Sequence, residues 1–317
     1  LICVHITVIR VLPPTGPDSS FALMKQQENR NNASLGYQVF TSTRPGLNRD
    51  PNTPPGLDDL KWVPNSATLI YGEKEAVLVD VFLAIEHTKT LADSIAATGK
   101  QLKYIYITHP HGDHFYGLQL IFDRFPGAIA IATPAVAKDC AEQVRPEVIN
   151  GFWAPRFPGQ IPEKLAVPQA MESNEFELED EKLVVIQTGF SDTHDSTSLY
   201  VPSIGLVVAG DVAYNGVHLY TAETTFETRK EWRSNLDKLA ALQPKWVVAG
   251  HKQPALPDDP AILTATKKYL EDFDRLNAET STNLELYNRM LEIYPDRANP
   301  GSLWGGSLAA KKAIPKP

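Results

Sequence analysis

Three histidines and an aspartate crowd into His109-Pro110-His111-Gly112-Asp113-His114, the pattern H-x-H-x-D-H. An apolar run at 102–107 precedes it and reads as a buried strand, and residues 115–125 follow with helical spacing. The histidines therefore sit on a tight turn leaving a strand, where side chains can converge on one point. Imidazole nitrogens and a carboxylate are donors suited to zinc, and also to iron or manganese. This turn constrains the fold more than any other feature, because it needs a rigid strand end to stand on.

The rest of the chain supplies such ends. Residues 66–71 and 75–80 read as two strands around Gly72-Glu73-Lys74, and the second ends on Asp80, which reads either as simple strand termination or as a carboxylate that orients the histidine turn from behind. A helix over 84–98, a short strand over 128–132 and a helix from 134 to about 144 follow. Strands over 175–179, 183–188, 198–201, 205–209 and 246–249 alternate later with helices over 227–242, 260–276 and 280–293. This alternation means α/β. Residues 29–63, rich in Pro, Asn and Gly, read equally as a pocket wall and as a flexible leader. Residues 145–171 hold five prolines around Phe152, Trp153 and Phe157, and read equally as a satellite core and as an apolar substrate wall.

Composition excludes several roles. A net charge of −8 without a Lys/Arg run argues against nucleic-acid binding. No apolar run is long enough for a membrane span. The two cysteines, Cys3 and Cys140, provide no disulfide framework and suit a reducing, cytoplasmic compartment. The expected partner is a small-molecule substrate, with no nucleic acid and no membrane; a homodimer is compatible with the sequence.

The polar residues that close apolar strands are Asp80, His109, His111, Asp113, His114, His194, Asp211 and His251. Ligands placed where neighbouring strands emerge meet at one edge of a sheet, where α/β folds usually carry their sites. In this set and order the chain resembles the metallo-β-lactamase superfamily, in the branch with glyoxalase II and the acyl-homoserine lactonases. The resemblance implies a four-layered αβ/βα sandwich with a helical C-terminal extension. By composition and spacing the chain reads as one domain over 29–294 with residues 145–171 as a loop insertion, flanked by a non-core extension at 1–28, before and just past Met24, and a partly ordered tail at 295–317 with Trp304 between glycines. The resemblance also implies two Zn2+ ions per chain. His109, His111 and His194 would hold one, Asp113, His114 and His251 the other, and Asp211 would bridge them.

The activity implied is hydrolysis of a small, fairly apolar lactone, lactam or ester by a metal-activated water attacking a carbonyl. Asp113 is expected to move the proton, and Tyr214, placed like an active-site tyrosine of the lactonases, to contact the oxyanion or leaving group. His218 reads as an exposed loop histidine, and Lys267, Lys268, Lys311 and Lys312 as a solvated face. Asp211 stands where zinc β-lactamases mostly carry cysteine, which disfavours an antibiotic-resistance role. The competing readings are a thioesterase acting on an acyl carrier protein and an iron-dependent persulfide dioxygenase.

Overall fold

Strands β4 (Glu75–Val79), β11 (Leu206–Asn215) and β12 (Trp246–Lys252) are apolar at nearly every position, so each must be covered on both faces. Alternation along them divides the core. Ala76 and Leu78 of β4 face one cluster, whereas Val77 and Val79 face another. Val207 and Ala209 of β11, with Val247 and Ala249 of β12, face a third, while Val208 and Val248 turn inward to join Val77 and Val79. Two half-sheets thus pack on a shared inner layer, and each outer face carries helices. This is the four-layered arrangement of the metallo-β-lactamase type.

The computed structural model describes residues 21–23, 35–44, 53–54 and 62–312. One half-sheet runs β7 (Gln169–Ala170), β6 (Ile129–Ala132), β5 (Gln101–Tyr106), β4 and β3 (Trp62–Tyr71). The other runs β12, β11, β10 (Ser196–Val201), β9 (Glu181–Gly189) and β8 (Glu175–Leu178). They join at β3, which pairs with β4 through Thr68–Tyr71 and touches β12 at His251↔Asn65. The first outer layer is α1 (Ile85–Ala97), α2 (Leu118–Arg124) and α3 (Pro134–Gln143). The second is α6 (Phe226–Ala241), α7 (Ala261–Glu279), α8 (Asn283–Ile293) and α9 (Pro300–Lys312).

Several expectations are corrected. The segment at 29–63 contains β2 (Gly36–Arg44), which pairs along β3, and β3 itself begins at Trp62 rather than at 66. Phe21–Leu23, expected outside the core, add an edge strand, β1, to β2; residues 1–20 and 24–28 lie outside the described residues. The tail is largely the helix α9, packed through Leu303 and with Trp304 edge-on to Tyr287 at 5.2 Å. Residues 313–317 lie outside the described residues. Within 145–171 the chain winds through α4 (Pro146–Val148), a π-helical turn (Ile149–Trp153) and α5 (Ala154–Arg156). Among the described residues no helix is long and apolar enough to cross a membrane.

The inner layer should dominate stability. Leu199→Ala, fully buried between the half-sheets, is expected to cost about 2–5 kcal/mol in urea unfolding, whereas Leu284→Ala, 45% exposed on α8, should stay within about 0.5 kcal/mol.

Candidate metal centre

The β5 strand ends at Tyr106, and the chain turns through Thr108 into the short 3-10 turn Gly112–His114. Four imidazoles reach the resulting hollow, and each is tied at one nitrogen. His109 Nδ1 lies 2.9 Å from Thr108 Oγ1, which itself donates to Asp80 Oδ2 at 2.8 Å, so the imidazole N–H points at the hydroxyl. His114 Nδ1 lies 3.2 Å from Asp80 Oδ2. His251 Nδ1 faces the carbonyl of Pro64 at 3.3 Å, and His111 Nε2 faces Glu223 Oε1 at 3.3 Å. These outer acceptors fix the tautomers and leave His109 Nε2, His111 Nδ1, His114 Nε2 and His251 Nε2 for the centre.

Carboxylates close the hollow. Asp211 Oδ2 stands 2.9 Å from His251 Nε2 and 3.8 Å from His109 Nε2, and its Oδ1 stands 3.4 Å from His114 Nε2. Asp211 can lie there because β11 bulges at Gly210, whose φ of +55° a side chain would strain and whose missing Cβ admits Thr108 Oγ1. A Cβ on Gly250 of β12 would stand 2.1 Å from Asp211 Oδ1. Asp113 lies 3.7 Å from His251 Nε2, its Oδ2 accepting from Trp62 Nε1 at 3.2 Å and Asn65 Nδ2 at 3.0 Å.

His194 is not among these side chains. Its ring is 60% exposed and pairs with Asp195 at 2.9 Å and Asp139 at 3.3 Å. The loop leaves β9 through Gly189 (φ +67°) and re-enters β10 after Asp195 (φ +55°), and these two left-handed residues turn His194 outward and Asp192 inward. Asp192 is fully buried, with Oδ1 accepting from Ser191 Oγ at 3.0 Å and Oδ2 lying 3.0 Å from His111 Nδ1. A carboxylate thus stands where an imidazole was expected. In the run Ser191-Asp192-Thr193-His194-Asp195 the histidine is the conspicuous donor, while Asp192 carries the same chemistry as Asp113 and Asp211.

Tyr214 reaches the site, but its buried hydroxyl donates to Asp211 Oδ2 at 3.0 Å. His218 is buried rather than exposed. Its backbone N–H donates to the Ala298 carbonyl, its ring Nδ1 lies 3.0 Å from Tyr269 Oη, and burial with the Arg297 charge pushes its pKa down to about 3. The sequence reading missed Trp62, Asn65, Glu223 and the carbonyl of Pro64. Glu223 sits in a polar stretch before α6 with no distinguishing spacing, and the other three depend on where β3 begins.

The residue set fits a cation. Among the described residues, His109 Nε2 and Asp211 Oδ1 are buried with no hydrogen-bond partner, and Asp192 Oδ2 faces only His111 Nδ1, a costly state for polar atoms facing one another. At the centre, candidate ligand atoms form two adjoining groups, His109–His111–Asp192–Asp211 and Asp113–His114–His251, with Asp80 reaching His109 and His114 from behind; a separate trio, Asp139–His194–Asp195, lies toward the surface. The family model of the metallo-beta-lactamase superfamily matches residues 60–251, which contain all of them.

The chain belongs to the metallo-beta-lactamase superfamily.

Members of this superfamily are in general metal-dependent hydrolases. A search of curated proteins found none that matches. Solved structures share the fold: a metallo-beta-lactamase from Pontibacter korlensis is 20% identical with a TM-score of 0.54, covering 74% of this chain and 94% of that one. DIM-1 metallo-beta-lactamase is 20% identical (TM-score 0.55, covering 80% and 97%), and VMB-1 is 19% identical (TM-score 0.55, covering 80% and 98%).

In this superfamily member the charges at the centre are strongly biased. Burial would lower the His114 pKa, but Asp211, Asp113 and Asp80 push it up to about 10; Asp192 and Glu223 raise His111 in the same way. Burial and the neighbouring His114 hold His109 well below the usual range. Burial would raise the Asp211 carboxyl, yet His251, His114 and His109 hold it well below the carboxylate range. His111 and His114 are thus protonated at neutral pH unless a metal displaces the protons. Metal uptake should release protons, and apparent affinity should keep climbing as pH rises through neutrality toward about 10, read by calorimetry in buffers of different ionisation enthalpy. Asp80→Asn, which loosens His114 and Thr108, should weaken metal affinity about 10–100-fold in a chelator competition. Asp192→Asn should weaken it at least as much, while His194→Ala should change it less than about twofold.

Proposed function

We propose that this chain is a metal-dependent hydrolase of a small, fairly apolar lactone, lactam or ester, working with two zinc ions. His109, His111, Asp192 and Asp211 would hold one ion and Asp113, His114 and His251 the other, with the Asp211 carboxylate between them. The reading rests on one observation. Four imidazoles, each tethered at its outer nitrogen, and three carboxylates converge beneath a cavity of about 260 Å³.

When bound, such ions polarise a carbonyl and bring the pKa of water from about 16 to near 7. The protein's own groups do the remaining work. Trp62 and Asn65 donate to Asp113 and keep its carboxylate oriented toward the hollow. Asp113 takes a proton from the attacking water as the new C–O bond forms. It passes that proton to the oxygen or nitrogen that leaves as the old bond breaks. Tyr214 lines the cavity and, through its hydroxyl, holds Asp211 in place. Glu223 does the same for His111.

Phe152, Trp153 and Val148 form an apolar wall facing Tyr220, which favours a compact carbonyl substrate and excludes bulk water. The aromatic insertion packs as a satellite core and also borders the cavity. Trp153 and Phe157 are buried around Trp62, and Phe152 lines the cavity.

The test is a panel of lactones, lactams, esters and thioesters offered to zinc-loaded protein. Turnover of a lactone, lactam or ester is expected, with Asp113→Asn lowering kcat about 100-fold or more at matched metal content. One iron per chain, oxygen uptake and no hydrolysis across the panel would overturn the reading.

A further inference from the structure

The cavity above the centre is one-sided in charge. Among the described residues that line it are Asp113, Asp192, Asp211 and Glu223, and no lysine or arginine. Asp80 adds a fifth carboxylate from behind, bonded to Thr108 and His114. Two divalent ions would cancel four of these five charges, so the floor of the cavity stays negative even when it is loaded. A carboxylate or phosphate on a substrate would find no cationic side chain to pair with.

Glu223 is the carboxylate left over. Asp113, Asp192 and Asp211 belong to the ligand groups and Asp80 is buried, whereas the Glu223 side chain is 44% exposed where it lines the cavity. One of its oxygens, Oε1, takes both of its bonds to neighbours in the cavity, from His111 Nε2 at 3.3 Å and from Tyr220 Oη at 3.4 Å. These two bonds fix the position of the charge without neutralising it once His111 holds a metal and is itself uncharged. Tyr220 and Trp62 line the same cavity and are only half-buried, so each has ring surface open to a ligand. The Phe152 ring is already covered by the Arg156 guanidinium at 4.0 Å, and Arg156 lines the neighbouring hollow along α9 instead of this cavity. An exposed carboxylate with aromatic rings around it suits an ammonium group: the ring faces attract the cation, and the carboxylate balances its charge.

We propose that Glu223, with Tyr220 and Trp62, selects a substrate that carries a tertiary or quaternary ammonium group close to its reacting carbonyl. The alkyl groups on such a nitrogen are compatible with the apolar wall, and the charge is what a neutral isostere lacks. That the carbonyl lies over the metal centre rests on the hydrolase reading; binding of the ammonium group does not. Because Glu223 is partly exposed, the selection weakens with salt.

The probes are choline and 3,3-dimethyl-1-butanol, which share a shape and differ by one charge, titrated calorimetrically into zinc-loaded protein. Choline should bind about tenfold more tightly at low salt, and the difference should shrink in about 0.5 M NaCl. At matched zinc content, Glu223→Gln keeps an oxygen facing His111 but removes the charge, and should reduce the ratio to about twofold or less. Tyr220→Leu should lower the ratio about threefold through the lost ring face. Equal binding of the two alcohols by the unsubstituted protein overturns the proposal, as does an unchanged ratio in either variant. Acetylcholine and 3,3-dimethylbutyl acetate extend the comparison to turnover, where kcat/KM should favour acetylcholine by about the same tenfold factor. Selective binding of choline with no hydrolysis of these esters or of the substrate panel removes the hydrolase reading alone. Hydrolysis of the panel without selective binding removes the ammonium proposal alone.

Discussion

One buried carboxylate holds the centre together. Asp80 ends β4 in a left-handed conformation (φ 58°), which aspartate tolerates better than most residues, and this turns its side chain across the end of β5. There it accepts from the Thr108 N–H, the Thr108 hydroxyl and His114. The Thr108 carbonyl in turn accepts from both the N–H and the hydroxyl of Thr197 on β10, and Thr108 Oγ1 packs against the bulge at Gly210 on β11. Two residues therefore couple strands from both half-sheets. Because all of these atoms are buried, each unmade bond would carry a full desolvation cost, and that cost gives the turn a single geometry.

The polar centre is expensive for the same reason. Imidazoles tied at their outer nitrogens cannot rotate to satisfy their inner ones, and Asp192 and Asp211 have no donor of their own to offer. Such an arrangement favours positive charge at the centre, whether protons on His111 and His114 or a metal ion. It also explains how Asp192 can stand in for an imidazole. A centre framed by several histidines tolerates another anion, and an oxygen donor binds the same class of cation. The exchange makes the centre more anionic and harder than one with a third imidazole in the first ligand group.

Much of this was legible because strand ends announce themselves. His109 to His114, Asp211 and His251 each follow an apolar run, and the run predicts both the strand and the edge where its last side chain emerges. The α/β class followed from the same alternation, and the four layers from the resemblance that these strand-end residues carry. What stayed hidden depends on backbone turns and on distant partners. His194 and Asp192 lie two residues apart in a polar loop, and only the positive φ angles at Gly189 and Asp195 decide which faces inward. His218 sits in a loop by its local sequence, yet Ala298 and Tyr269, far along the chain, bury it. The strand β2 was masked by the Pro- and Asn-rich residues around it, and α9 by the glycines flanking Trp304, which weaken helical propensity until packing against α8 restores it.

The measurement that bears most directly on this account is anomalous X-ray diffraction from crystals of the zinc-loaded protein. The account predicts metal within about 2.0–2.2 Å of His109 Nε2, His111 Nδ1 and a carboxylate oxygen of Asp192, with His194 still facing solvent. Metal coordinated by His194, with Asp192 turned away, would contradict it.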